Sequence, residues 1–229
     1  MFIVTTSAAR IDFSRLDDAT IRLSDVAHAL SWINRFTGHA RFGFSVAAHS
    51  LAVSRFLKAH GASAAVQMGG LMHDAHEAYF GDVTTPVKVY LDIIPQLLSI
   101  GISQSQIDEL LLGIRAREDA VQDAVAVKLG LDVRFLRHKD VKRADLIALF
   151  VERHALLPPD AEDGPWPILD GISAGMCVGM PVPVEGTSPA AVAAEFCQRF
   201  EELRRELAVE AAMGPEDLSG AADMSRLAA

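Results

Sequence analysis

The segment "GGLMHDAHEAYFGDVTTPVK", residues 69–88, packs two imidazoles and two carboxylates into five positions: His73, Asp74, His76 and Glu77. Imidazole nitrogens and carboxylate oxygens bind divalent cations and carry protons, so the group can do metal or acid–base chemistry. In helical register His73 and Glu77 share a face, and Asp74 lies about 100° round but adjacent in space. The neighbours Leu71, Met72, Ala75 and Ala78 are apolar. An ionised Asp in such surroundings needs a partner, because desolvation would otherwise neutralise it. A metal ion would satisfy Asp74 and bind His73 at once.

One helix rarely supplies a whole coordination sphere, so further ligands should sit on apolar faces of neighbouring helices. His49 is a candidate, in "SVAAHSLAVSRFL" with Val46, Val53 and Phe56 on its side. Asp145 is another, in "VKRADLIALF" with Val141, Ala148 and Leu149 at helical spacing. Asp140 is weaker, being near a helix start where an exposed acid is ordinary. Taken singly, each is more often a satisfied core residue than a ligand. Taken together, four polar groups on apolar faces would be costly unless they serve each other.

The elements that must position them read as helices. "LSDVAHALSWINRF" is expected as one, with Ser24 as N-cap and Val26, Leu30 and Ile33 as its apolar stripe. After the loop "TGHARFG", Ser45 should cap "VAAHSLAVSRFLKAH", which stops near Gly61. Ser63 begins "AAVQMGGLMHDAHEAYF", read as continuous and closed by Gly81. Gly69 and Gly70 each cost such a helix roughly 1 kcal/mol relative to Ala, which close approach of a neighbour would offset. Pro86 starts or bounds a short helix, "VKVYLDIIPQLLS". A long helix from Ser103 to about Gly130 is expected to break near Arg117, and "VRFLRHKDVKRADLIALFVERHALL" follows as one helix to Pro158.

The chain therefore divides into an N-terminal extension (1–23), a helical core (24–157), an irregular Pro/Gly-rich segment (158–190), an amphipathic C-terminal helix (191–213) and a frayed tail (214–229). The C-terminal helix could support a dimer. With 229 residues the chain can bury a sizeable core. Its net charge of -9 and lack of a Lys/Arg block argue against a nucleic-acid polymer as partner, although a small anionic substrate needs only a local positive cluster. Cys177 and Cys197 make neither a disulfide framework nor a zinc motif. "MFIVTTSAAR" lacks the features of a signal peptide and no apolar run reaches membrane-spanning length, so a cytoplasmic protein with no membrane partner is expected.

"SVAAHSLAVS", "GGLMHDAHEAYFGDVTTPVK" and "KRADLIALF", in that order, resemble the HD-domain phosphohydrolases, named for a His…His-Asp…Asp metal signature. The similarity is strongest to the bacterial 5′-deoxynucleotidase branch and related phage deoxynucleoside triphosphohydrolases, which carry an acid four residues after the metal His and then Gly-Asp-x-x-x-Pro-x-Lys. The resemblance spans roughly residues 24–157. It implies an all-α HD-domain bundle with a metal site between helices, and His49, His73, Asp74 and Asp145 as ligands of one divalent ion. Ligand type suits Mn, Co, Fe, Zn or Mg alike.

Glu77 would then orient or deprotonate water, with Asp82 as a further base or hydrogen-bond partner. Arg35 and Lys88 would hold phosphate and Phe36 would flank base or sugar, with His39 and Arg41 as weaker rim contacts. The plainer alternatives are a solvated helix acid at Glu77, a helix-terminal Arg complementing the dipole, and an exposed Lys. His76 matches no ligand. The implied activity is hydrolysis of (deoxy)nucleoside 5′-monophosphates. Alternatives are a triphosphohydrolase on the same site and, from another class, a metal-stabilised binding or regulatory module. The C-terminal third receives no role from the resemblance.

Overall fold

The computed structural model describes residues 2–84, 101, 103–158 and 166–213. The segment around Pro86 and Lys88, and the tail from residue 214, lie outside the described residues. The described residues are mostly helical, with one antiparallel two-stranded hairpin among them, β1 (Phe2–Val4) and β2 (Arg10–Asp12). The α-helices among the described residues are α1 (Leu23–Trp32), α2 (Val46–Ala59), α3 (Ala64–Met72), α4 (Glu77–Phe80), α5 (Gln104–Lys128), α6 (Val133–Leu136), α7 (Lys139–Leu156) and α8 (Pro189–Met213). No helix among the described residues is long and apolar enough to cross a membrane.

Helix starts follow local chemistry. Ser45 accepts from the Ala48 amide, Ser63 from the Val66 amide, and Ser103 forms a reciprocal capping box with Gln106. Ser24 is not a cap: α1 begins one residue before it, with Arg22 as N-cap. Nor does α1 run on to Phe36. Ile33 leaves helical geometry because its carbonyl accepts the Val46 amide, and Asn34 bridges to Ser45. The expected break near Arg117 is absent, since α5 is one 25-residue helix. The expected single helix over 133–157 is instead two. His138 takes an extended conformation and caps α7, accepting from the Asp140 amide.

Two clusters of buried side chains form the core. In one, α1, α2, α3 and α8 contribute Val26, Leu30, Val46, Leu71, Phe196 and Phe200. Ile11 of the hairpin, fully buried, joins it, so the N-terminal extension packs on the helices. In the other, Val53, Phe56 and Leu57 of α2 meet Val141, Ala144 and Ile147 of α7. The apolar stripe of α8 packs within the chain, with Val192, Phe196, Phe200 and Leu203 all buried.

The two glycines of α3 make this packing close. A Cβ on Gly70 would meet Leu57 Cδ1 at 2.5 Å, and one on Gly69 would meet the Phe135 carbonyl oxygen at 2.2 Å. Their helix cost is offset by contact of α3 with α2 and with α6.

Candidate metal centre

The end of α3 does not continue as a regular helix. Residues 73–76 form turns with Ala75 N–H on the Met72 carbonyl (3.1 Å) and Glu77 N–H on the Asp74 carbonyl (2.9 Å), before the single turn of α4. The cause is a side chain from α5. Gln122 donates from Nε2 to the Met72 carbonyl (2.8 Å) and accepts the His76 amide at Oε1 (2.8 Å). Those two backbone groups would have bonded each other in an α-helix, so the Gln122 amide is inserted into the ladder. His76 Nδ1 lies 3.0 Å from the same Oε1, and His76 is not part of the cluster formed by His49, His73 and Asp74.

Three elements converge on this junction. His49, fully buried, comes from α2; His73 and Asp74 come from the turn; Asp145 comes from α7. His49, His73 and Asp74 offer ligand atoms within 4.8 Å of one another. Asp145 Oδ1 lies 3.1 Å from His49 Nε2 and 3.8 Å from His73 Nε2, while Asp74 Oδ2 lies 3.1 Å from His73 Nε2.

The outer nitrogens settle what the inner ones must do. His73 Nδ1 donates to the Gly70 carbonyl (2.9 Å), an acceptor only. His49 Nδ1 lies 2.5 Å from Glu152 Oε1, a carboxylate that likewise accepts. Both rings are thus protonated at Nδ1, and in the neutral form each turns an Nε2 lone pair inward. Those Nε2 atoms are 3.4 Å apart, flanked by two carboxylates. Four acceptors facing one another require positive charge among them, as protons or as a cation. Burial disfavours protonation of His73, but Asp74 and Asp145 outweigh it and raise its pKa well above the ordinary value. Burial likewise opposes ionisation of Asp145, but hydrogen bonds from His49 and His73 hold it well below the carboxylate range. The residues fit a divalent cation: two imidazole nitrogens and two carboxylates, converging from three elements.

Around this group sit two further ionisable side chains. Glu77, at the start of α4, is buried, and its Oε2 has no hydrogen-bond partner among the described residues. Burial, then the charges of Asp74 and Asp82, push its carboxyl up to about 9. Arg35 donates from Nε to Glu152 Oε2 (2.7 Å), and the charges of Asp145, Asp74 and Asp82 also act on it. Its terminal nitrogens make no hydrogen bond to a described residue. Phe36 is half-buried beside it, and both Phe36 (φ 56) and Thr37 (φ 54) are held in left-handed geometry, costly for side chains with a Cβ.

Of the residues read from sequence, His49, His73, Asp74, Asp145, Glu77 and Arg35 are brought together, with Asp82 in electrostatic reach. Lys88 lies outside the described residues. Asp140 instead pairs with His138 at the start of α7 (3.6 Å). His39 and Arg41 are exposed, and the Arg41 amide bonds the Leu156 carbonyl at the end of α7.

Sequence reading misses Glu152 and Gln122. Glu152 sits seven residues after Asp145, two helical turns along the same face, a spacing that could have found it. Gln122 carries no such signal. A cavity of about 340 Å³ lies on a different face of α2, between Trp32, Phe44, Arg55 and Pro183. Its charged lining residues Arg55 and Glu195 pair with each other, so its size does not mark chemistry.

No family model matches the chain. An uncharacterized protein of Rhodobacter capsulatus is 36 % identical over 86 residues, covering 36 % of this chain and 44 % of that protein. The uncharacterized protein YfdR of Escherichia coli K12 is 30 % identical over 203 residues, covering 88 % of this chain and 95 % of that protein. On that extent of similarity, the chain belongs to the YfdR family.

Proposed function

We propose that the protein is an HD-domain, metal-dependent nucleotide phosphohydrolase of the cytoplasm that converts (deoxy)nucleoside 5′-monophosphates to nucleoside and phosphate. The observation that carries this reading is the inward-facing pair of Nε2 atoms, 3.4 Å apart, with a carboxylate beside each. His49, His73, Asp74 and Asp145 would hold one divalent ion, with Mn, Co, Fe, Zn and Mg all compatible. Such an ion, when bound, lowers the pKa of coordinated water and withdraws charge from a phosphoryl oxygen.

The chain's own residues supply the rest. Glu77 Oε2, buried and unpartnered, is suited to orient the attacking water and take its proton. Positive charge beside Asp74 offsets part of the electrostatic push on Glu77, bringing its carboxyl toward the range useful for a base near neutrality. Asp82 acts electrostatically on both Glu77 and Arg35, which suits it to hydrogen-bond the same water or the leaving oxygen. Arg35, anchored through Nε, keeps its terminal edge for phosphate oxygens, and Phe36 adjoins it for base or sugar. The charge of Arg35 acts on Glu77, which sets the guanidinium beside the site where a phosphate would be held.

The test is a panel of nucleoside mono-, di- and triphosphates with several divalent ions, resolved by product. Orthophosphate and nucleoside from monophosphates are expected. Release of triphosphate would replace this substrate with a nucleoside triphosphate, and no metal-dependent hydrolysis of any nucleotide would overturn the reading.

A further inference from the structure

We infer that Glu152 is a positioning residue that ties the metal-holding side of the site to its phosphate-holding side, one carboxylate oxygen on each. The inference rests on the phosphohydrolase reading above. Glu152 is 2 % exposed. Its Oε1 takes His49 Nδ1 at 2.5 Å, and its Oε2 takes Arg35 Nε at 2.7 Å. Three segments meet at this one group: α7, α2 and the hairpin-like loop between Ile33 and Val46.

Each contact does a separate job. Accepting from Nδ1–H keeps the His49 Nε2 lone pair turned inward and makes the ring a better donor to a cation. Accepting from Nε orients the guanidinium and leaves its terminal edge available. Because one rigid carboxylate does both, a change at Glu152 must disturb metal and phosphate together. A Glu152 present only to neutralise a buried arginine makes a different prediction: metal binding would be indifferent to it.

Calorimetric titration of the metal-free protein with Mn²⁺, and of the Mn²⁺-loaded protein with inorganic phosphate, separates these cases. Glu152→Gln keeps an acceptor for His49 but loses the charge, and should weaken Mn²⁺ binding by about 10- to 100-fold and weaken phosphate as well. Glu152→Asp should recover part of the Mn²⁺ affinity. Arg35→Ala should weaken phosphate alone. In the Arg35→Ala background, where no buried arginine is left without its counter-charge, Glu152→Gln should still weaken Mn²⁺ by the same factor yet add little to the phosphate loss. That double variant also keeps the Mn²⁺ measurement available if Glu152→Gln alone fails to fold. Mn²⁺ affinity within about twofold of wild type in a folded Glu152→Gln protein, single or double, overturns the inference and leaves the phosphohydrolase reading standing. A wild-type protein that takes up none of Mn²⁺, Co²⁺, Fe²⁺, Zn²⁺ and Mg²⁺ overturns both.

Discussion

Three acids in this protein, one buried and two half-buried, live under opposite regimes. Asp25, in the first turn of α1, is surrounded by donors. Its Oδ2 accepts from the hydroxyls of Thr5 (2.8 Å) and Ser7 (2.6 Å), and its Oδ1 from the Thr6 hydroxyl (3.0 Å) and the Ser7 amide (3.1 Å). It fastens the β1–β2 turn onto α1 and needs nothing more. Asp74 and Asp145, by contrast, face inward-turned imidazole nitrogens and each other's charge. A buried carboxylate met by neutral donors closes a fold. A half-buried one met by other acceptors needs positive charge beside it, as protons or as a cation. Burial alone does not separate structure from function; the partner chemistry does.

Glu77 gives the largest expected effect on that contrast. Glu77→Gln preserves shape and removes the base, so kcat should fall by roughly 10²- to 10⁴-fold with metal still bound and fold intact. Steady-state kinetics at saturating metal, with metal content measured on the same samples, checks this. Near-normal turnover would make Glu77 structural and Asp82 the better base.

Gln122 sharpens the comparison from the backbone side. Gln122→Leu should orphan the Met72 carbonyl and the His76 amide, each costing about 1–3 kcal/mol. Chemical denaturation should register that loss, and the turn carrying Asp74 should hold metal less well. Unchanged stability would mean that residues 72–76 simply close into a regular helix.

The smallest effect belongs to the closed hub. Burial opposes ionisation of Asp25, but the bonds from Ser7, Thr5 and Thr6 prevail and hold its pKa below the ordinary carboxylate value. Between the folded and unfolded values the unfolded chain binds more protons, so stability rises with pH across that window. Asp25 therefore contributes stability above its unfolded pKa of about 3.9, and the contribution is lost as pH falls through the folded value. Asp25→Asn should cost about 1–3 kcal/mol at pH 7 and flatten part of the acid limb, with metal binding unchanged. Denaturation curves across pH 2–7 would show this (roughly the span where an Asp titrates); weakened metal binding would show that the two regions are not independent.

His49 and Asp145 are legible in sequence because each is a polar residue on an apolar helical face, and His73 and Asp74 because they adjoin each other in an apolar stretch. His49, for instance, lies among Val46, Val53 and Phe56, all fully buried. The glycine pair of α3 is legible for a similar reason, its cost demanding a close neighbour. What is not legible depends on partners far along the chain. Nothing between Gly69 and Phe80 announces the break after Met72, because its cause is Gln122, some fifty residues on. Ile33 leaves its helix for a carbonyl bond to Val46 that local propensity does not contain. The spacing from Asp145 marks the face of Glu152, but its two partners, Arg35 and His49, are set only by the fold.

The central claim is that the His49, His73, Asp74 and Asp145 group is built around a cation. Its most direct test is calorimetric titration of metal-free wild-type, His73→Ala and Asp74→Ala proteins with Mn²⁺, alongside thermal melts that establish folding. The account predicts about one ion bound per wild-type chain and none in either folded variant. No binding by the wild type, or undiminished binding in both variants, would contradict it.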